Sequence, residues 1–215
     1  MHFSKEDTAL VVIDPQNDAL SEKGVSWGLV GDSVRENNTV ENLASLFSAA
    51  KDQEFGVFIS PHYLYPHDLA WQFGAVVEQM MLNDHEFFRP GPLSLERFHG
   101  SGADWLERFK PFIEDGKTVV VSPHKIWGPQ TNDLVFQLRK RRVNKVILAG
   151  MLANLCVESH LRELLEQGFE VAVVKDATAA PRHPEIGDGY IAALINYGYL
   201  ANEVLTTEDA VNSML

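Results

Sequence analysis

Only one cysteine, Cys156, occurs in the 215 residues, so no intramolecular disulfide can staple the fold. Positive charge is also scarce: 18 Lys and Arg stand against 30 Asp and Glu, for a net charge of −12. A nucleic-acid partner needs clustered cations. The densest basic run, Arg139-Lys140-Arg141-Arg142, closes a predicted helix, where cations complement the helix dipole instead. No apolar run reaches the ~18 residues of a membrane-spanning helix. The run Ala9–Ile13 is also too short for the ~7–15-residue core of a signal peptide. These absences predict no nucleic-acid partner, no membrane and a cytoplasmic setting. What is there is ordinary globular material, 45% hydrophobic and 22% charged, enough for a single α/β domain over 1–215.

Short β-branched runs alternate with helical patterns. Ala9–Ile13, Gly56–Ser60, Thr118–Ser122, Lys145–Ala149 and Glu170–Lys175 are strand candidates, and Val204–Leu205 is a possible sixth. Most are near-continuous apolar runs, as parallel strands covered on both faces require. Val40, Leu43, Ala44 and Phe47 fall at helical spacing, and Val157, Leu161, Leu164 and Leu165 form a second stripe closed by Gly168. A third helix is expected over Thr131–Arg142, with Thr131 or Asn132 as N-cap, and a fourth over Ile186–Tyr197. Repeated β-α alternation predicts a doubly wound parallel sheet. Residues 61–100 break the rhythm, a connection long enough to be a lid, a substrate wall or an oligomer arm.

Ligands of such sheets bind beyond the carboxyl ends of the strands. The first strand ends in Asp14-Pro15-Gln16-Asn17-Asp18. Asp14 is either a partly desolvated carboxylate ready for proton transfer or a turn residue. The third is followed by Lys125, either a surface lysine or a cation turned into a cleft. The fourth runs through Gly150-Met151-Leu152-Ala153-Asn154-Leu155 into Cys156, where an amphipathic helix opens. A lone cysteine is either an apolar filler or a reactive thiol. A helix N-terminus lowers a thiol pKa and offers N–H groups to an oxyanion, which favours the reactive reading. Acid/base, cation and thiol at three strand ends supply what acyl transfer needs.

The segments Leu10–Asp18 and Gly150–Val157, the lysine between them, and the continuation through Gly168-Phe169-Glu170-Val171 and Lys175-Asp176-Ala177 resemble the isochorismatase-like cysteine hydrolases. The resemblance covers most of the chain. It implies a three-layer, Rossmann-like fold whose six mainly parallel strands are ordered 3-2-1-4-5-6. It also implies a non-proline cis peptide before Leu152. By the same resemblance Asp14, Lys125 and Cys156 form a catalytic triad, and the N–H groups of Leu152 and Cys156 form the oxyanion hole. Asp14 takes the thiol proton, Cys156 attacks the carbonyl, and a thioester is hydrolysed in turn. The implied substrates are small amides or carbamoyl compounds, and the implied assembly is a homo-oligomer. The vinyl-ether-cleaving branch lacks this cysteine, so Cys156 argues against that chemistry.

The sequence departs from the resemblance in several places. Zinc-bearing members carry an Asp two residues before a His after strand two, whereas here Ser60 precedes His62. The expectation is therefore no metal and no cofactor, with His62 and His67 read as surface or pocket histidines. The segment after Lys125 is shorter than usual. Asn17, His62 and Trp127 are candidate pocket residues, and for Trp127 loop packing is an equal alternative. Two other readings stand beside amide hydrolysis: a non-amide (isochorismatase-type) member of the same fold, and a catalytically inert binding module. The inert module expects Lys125 to point away from Asp14. The substrate itself is not specified by these motifs.

Overall fold

A computed structural model describes all 215 residues. The main sheet contains β1 (Thr8–Ile13), β2 (Gly56–Ser60), β3 (Val119–Val120), β4 (Lys145–Met151), β5 (Glu170–Ala179) and, after a short antiparallel hairpin of β6 (Arg182–His183) and β7 (Gly187–Asp188), β8 (Glu203–Leu205). Its order is β3-β2-β1-β4-β5-β8 and all its pairings are parallel. Counting only sheet strands, this is the expected 3-2-1-4-5-6 order. The strands read correctly because β1 and most of β4 are buried on both faces.

Side-chain alternation divides the core in two. Leu10, Val12, Ile59 and Ile147 face a cluster with Leu43 and Phe47 of α3 (Thr39–Asp52). Val11, Ile13, Phe58 and Leu148 face the other layer. There they meet Leu134 and Leu138 of α6 (Leu134–Lys140), Leu161 and Leu164 of α7 (Glu158–Glu166), and Tyr197 of α8 (Gly189–Leu200). The remaining helices are α1 (Asn17–Leu20), α2 (Trp27–Glu36), α4 (Val76–Asp84), α5 (Lys110–Ile113) and α9 (Thr207–Met214). No helix is long and apolar enough to cross a membrane.

Several boundaries differ from the sequence reading. β3 is only two residues long, because the chain leaves the sheet at Val121, although the Val121 N–H still bonds the Ile59 carbonyl at 3.0 Å. The third helix starts at Leu134, not Thr131, and its N-cap is Asp133. Pro129–Thr131 forms a separate 3-10 turn before it. Gly168 does close α7, with φ +78°. The 61–100 segment is ordered: Leu64 pairs with Phe88, Pro66–Ala70 makes a 3-10 turn, and α4 follows.

Candidate active site

β1 and β4 are neighbours, so the residues leaving their carboxyl ends converge. Gly150 of β4 sits opposite Ile13 of β1: its φ is +116°, and a Cβ there would stand 2.1 Å from the Ile13 carbonyl oxygen. Only glycine fits such an approach. Asp14 follows with φ 48°, a left-handed conformation that Asp tolerates better than most residues. A single π-helical turn, Ala153–Val157, then opens α7 and carries Cys156. The peptide between Met151 and Leu152 is cis, as the resemblance implies.

Asp14, His62, His124 and Cys156 are all buried, and one potential ligand atom from each lies within 4.8 Å of the others. His124 Nε2 meets Asp14 Oδ1 at 2.8 Å. The Cys156 thiol donates to the Ile126 carbonyl at 3.2 Å. Burial, reinforced by the Asp14 carboxylate, pushes this thiol well above the ordinary cysteine range, and the Leu152 backbone N–H works weakly against that shift. The sequence expectation of a thiol lowered by a helix terminus is thus corrected. Desolvation and a neighbouring carboxylate outweigh the backbone donors.

Lys125 is not brought to Asp14. Its Nζ bonds Asp68 Oδ2 at 2.8 Å and the Tyr63 carbonyl at 2.9 Å, and lies 4.3 Å from the centre of the Tyr65 ring. The cause is local. His124 forms a parallel bridge with His62, so the chain is extended there, and successive side chains leave on opposite sides. His124 turns inward, and Lys125 turns to the 61–100 segment. His124 was missed in the sequence, yet a signal exists: the adjacent strands β2 and β3 are followed by the same triplet, Ser60-Pro61-His62 and Ser122-Pro123-His124.

Behind this cluster, Ser60 Oγ contacts His160 Nε2 at 2.8 Å and accepts from Asn132 Nδ2 at 2.9 Å. His160 Nδ1 lies 2.7 Å from the Cys156 carbonyl oxygen. Gln16 is fully buried and clamps the His62 backbone: its Nε2 donates to the His62 and Ala103 carbonyls, and its Oε1 accepts the His62 N–H, each at 2.9 Å.

A cavity of about 630 Å³ opens over Asp14, His62 and Cys156, and Trp127 and Leu152 line it too. Val76, Val77, Met80 and Phe87 of the 61–100 segment contribute to its lining, and so do Pro184 and Ile186 between β6 and β7 and Ala192 of α8. Asn17 does not line it. That side chain donates instead to the Ser101 carbonyl at 2.8 Å. Trp71 and Phe73 lie outside the cavity and are exposed. One wall residue was invisible in the sequence: Glu86, whose carboxylate accepts from Ser26 Oγ. Burial, with Asp18, Asp14 and Asp84 adding to it, raises its pKa to about 7.

Comparisons with known proteins agree with this architecture. The isochorismatase domain model matches residues 8–209. The chain is 25% identical to the ureidoacrylate amidohydrolase RutB of Methylorubrum extorquens, over 98% of this chain and 85% of that protein. An 84-residue match to the isochorismatase family protein YwoC of Bacillus subtilis is 38% identical and spans 43% of that relative. A crystal structure of a cysteine hydrolase from Pseudomonas syringae pv. phaseolicola superimposes with a TM-score of 0.80 at 21% identity, over all of this chain and 95% of the other. With its parallel sheet of that order and its match over residues 8–209, the chain belongs to the isochorismatase family and is a hydrolase of that family.

Proposed function

We propose that the protein hydrolyses a C–N bond in a small amide or carbamoyl substrate through a thioester on Cys156. The observation that carries this reading is the convergence of Asp14 and Cys156, from the ends of β1 and β4, on the floor of one cavity. The relative RutB is an amidohydrolase, which supports the same bond class. In this proposal Asp14 accepts the thiol proton as sulfur attacks the carbonyl carbon. The oxyanion is received by the N–H groups of Leu152 and Cys156; the Leu152 N–H has no backbone acceptor of its own. Asp14 then protonates the departing amine. Water, deprotonated by Asp14, attacks the thioester; the acid leaves and the thiol regains its proton.

The third member of the constellation is His124 in place of the expected Lys125. By donating from Nε2 to Asp14, His124 orients the carboxylate toward the thiol. The inert-module reading expects Lys125 to be turned away from Asp14, and that single feature is met. Against that reading stands His124, which fills the vacated place with a buried hydrogen-bonding partner. Trp127 and His62 form the pocket wall next to the thiol, while the cavity's apolar side suits a substrate with a flat or branched apolar acyl part. Cytoplasmic location and homo-oligomerisation remain parts of the proposal; Ile191, Ile195 and Tyr199 form an exposed apolar face on α8 that a second copy would cover.

The test is a panel of small amides, ureas and carbamoyl acids assayed for amine or ammonia release. At least one should be turned over, Cys156→Ala should abolish the turnover, and mass spectrometry of Cys156 should show an acyl adduct during it. Turnover that survives loss of the thiol, with no adduct, favours the non-amide reading. An intact fold with no turnover across the panel favours the inert module.

A further inference from the structure

Buried polar atoms in folded proteins almost always have partners, so clustered exceptions call for a cause. Here three imidazole nitrogens lack one: both of His62 and Nδ1 of His124. Both rings are fully buried, and their centroids are 4.8 Å apart. Around them stand a carboxylate and a thiol, Asp14 and Cys156, with candidate donor atoms within 4.8 Å of one another. His62 borders the cavity, so the site has an entry path.

We propose that Asp14, His62, His124 and Cys156 form a closed binding site for a borderline-soft divalent cation of the zinc class. The donor set decides the class. One thiolate and two imidazoles select zinc-like ions over magnesium or calcium, which take oxygen ligands. Charge points the same way: one carboxylate, one thiolate and two neutral imidazoles balance a dication, so the loaded site is neutral, as a buried site must nearly be. Geometry is within reach. Bond lengths of about 2.0–2.3 Å put tetrahedral donors about 3.3–3.8 Å apart. Side-chain rotations of about 1 Å bring the observed cluster to that size. Four protein ligands leave no open position for water, which marks a structural or inhibitory site rather than a catalytic one.

This set differs from the one whose loss led to the expectation of no metal. Ser60 still replaces that carboxylate and is engaged by His160 and Asn132. The donors proposed here are the two histidines of the repeated Ser-Pro-His triplets, joined to Asp14 and Cys156. On binding, the Cys156 S–H bond is replaced by a sulfur–metal bond, and the proton leaves to solvent. Because the metal occupies the thiol, it would hold the hydrolase in an inactive state. Only that consequence rests on the proposed hydrolytic role; the binding does not.

The experiment titrates chelator-treated full-length protein with Co2+, then displaces it with Zn2+. The expected result is one equivalent bound, tetrahedral ligand-field bands in the visible and a sulfur-to-cobalt charge-transfer band in the near ultraviolet. Cys156→Ser should lose the charge-transfer band. His62→Gln should weaken binding about a hundredfold or more, since disturbing even an outer-shell partner costs 10–100-fold. Circular dichroism of both variants checks their fold, and the wild-type spectrum is decisive by itself. No saturable binding, or binding without the sulfur band, overturns the proposal. A cobalt spectrum with no amide turnover would leave the metal site standing and remove the proposed amide hydrolysis, and the opposite pair of results would do the reverse.

Discussion

His124 and Lys125 are neighbours in sequence, yet they belong to two different regions. His124 sits beneath the floor of the cavity, fully buried against Asp14, which does line it, with His160 at its back. Lys125 lies outside the cavity lining, on an outer rim of partly exposed contacts, and fastens the 61–100 segment through Asp68 and the Tyr63 carbonyl. The floor is built from the ends of central strands, whose backbones are fixed by the sheet. The rim is built from a long connection held by side-chain contacts. A reactive group placed on the floor inherits the sheet's precision, whereas a charge on the rim holds a wall in place. Position beside a strand end therefore does not assign a residue to the site; the parity of the extended chain does.

The contrast can be broken or sharpened in steps. The largest effect should be Cys156→Ala on the floor: a loss of about a thousandfold or more in kcat/KM, read on any substrate of the amide panel, since losing a nucleophile removes a whole covalent route. Next is the support beneath the floor. Gln16→Leu keeps volume but strips the partners from the His62 N–H and from two buried carbonyls. Urea unfolding should show a loss of about 3 kcal/mol or more, because each of the three buried groups left unpaired costs about 1–3 kcal/mol. A loss below half a kcal/mol would mean that the clamp is not needed.

A third effect belongs to the cavity wall. Glu86 is raised to about 7 in the folded chain against 4.5 as the ordinary value, so the folded state holds the proton more tightly. A raised acid pKa makes stability greatest below about pH 4.5 and erodes it as pH rises toward 7. The full shift corresponds to about 3 kcal/mol, and partial exposure reduces that to about 2. Glu86→Gln should flatten this part of the stability-pH profile; an unchanged slope would deny the burial effect. The smallest effect should be on the rim. Lys125→Met should lower stability by about 1 kcal/mol or less, as partly exposed ion pairs do, seen as faster proteolysis within 61–100. Global unfolding by this change would show that the rim is more than a fastening.

Much of the sheet was legible because buried parallel strands leave continuous apolar runs, and the first five runs each contain or overlap an observed strand. The place of Asp14 and Cys156 beside the cavity was legible for a related reason: Asp14 directly follows β1, and Cys156 lies in the turn that leads from β4 into α7. What escaped notice were features set by tertiary context. α2 carries Gly28 and Gly31 within its span, and α4 presents Val76 and Met80 to a cavity, while its Val77 both lines that cavity and packs on the core. The inward turn of His124 depends on its pairing with His62, a contact 62 residues apart in sequence. The raised carboxyl of Glu86 likewise depends on what packs over it.

The most direct test of the floor-and-rim account is a kcat/KM comparison of wild type, His124→Asn and Lys125→Met on one substrate from the amide panel. The account predicts that His124→Asn loses about a hundredfold or more, the scale of a misplaced proton-transfer group, while Lys125→Met stays within about threefold of wild type. A collapse of activity in Lys125→Met, with His124→Asn near wild type, would contradict it.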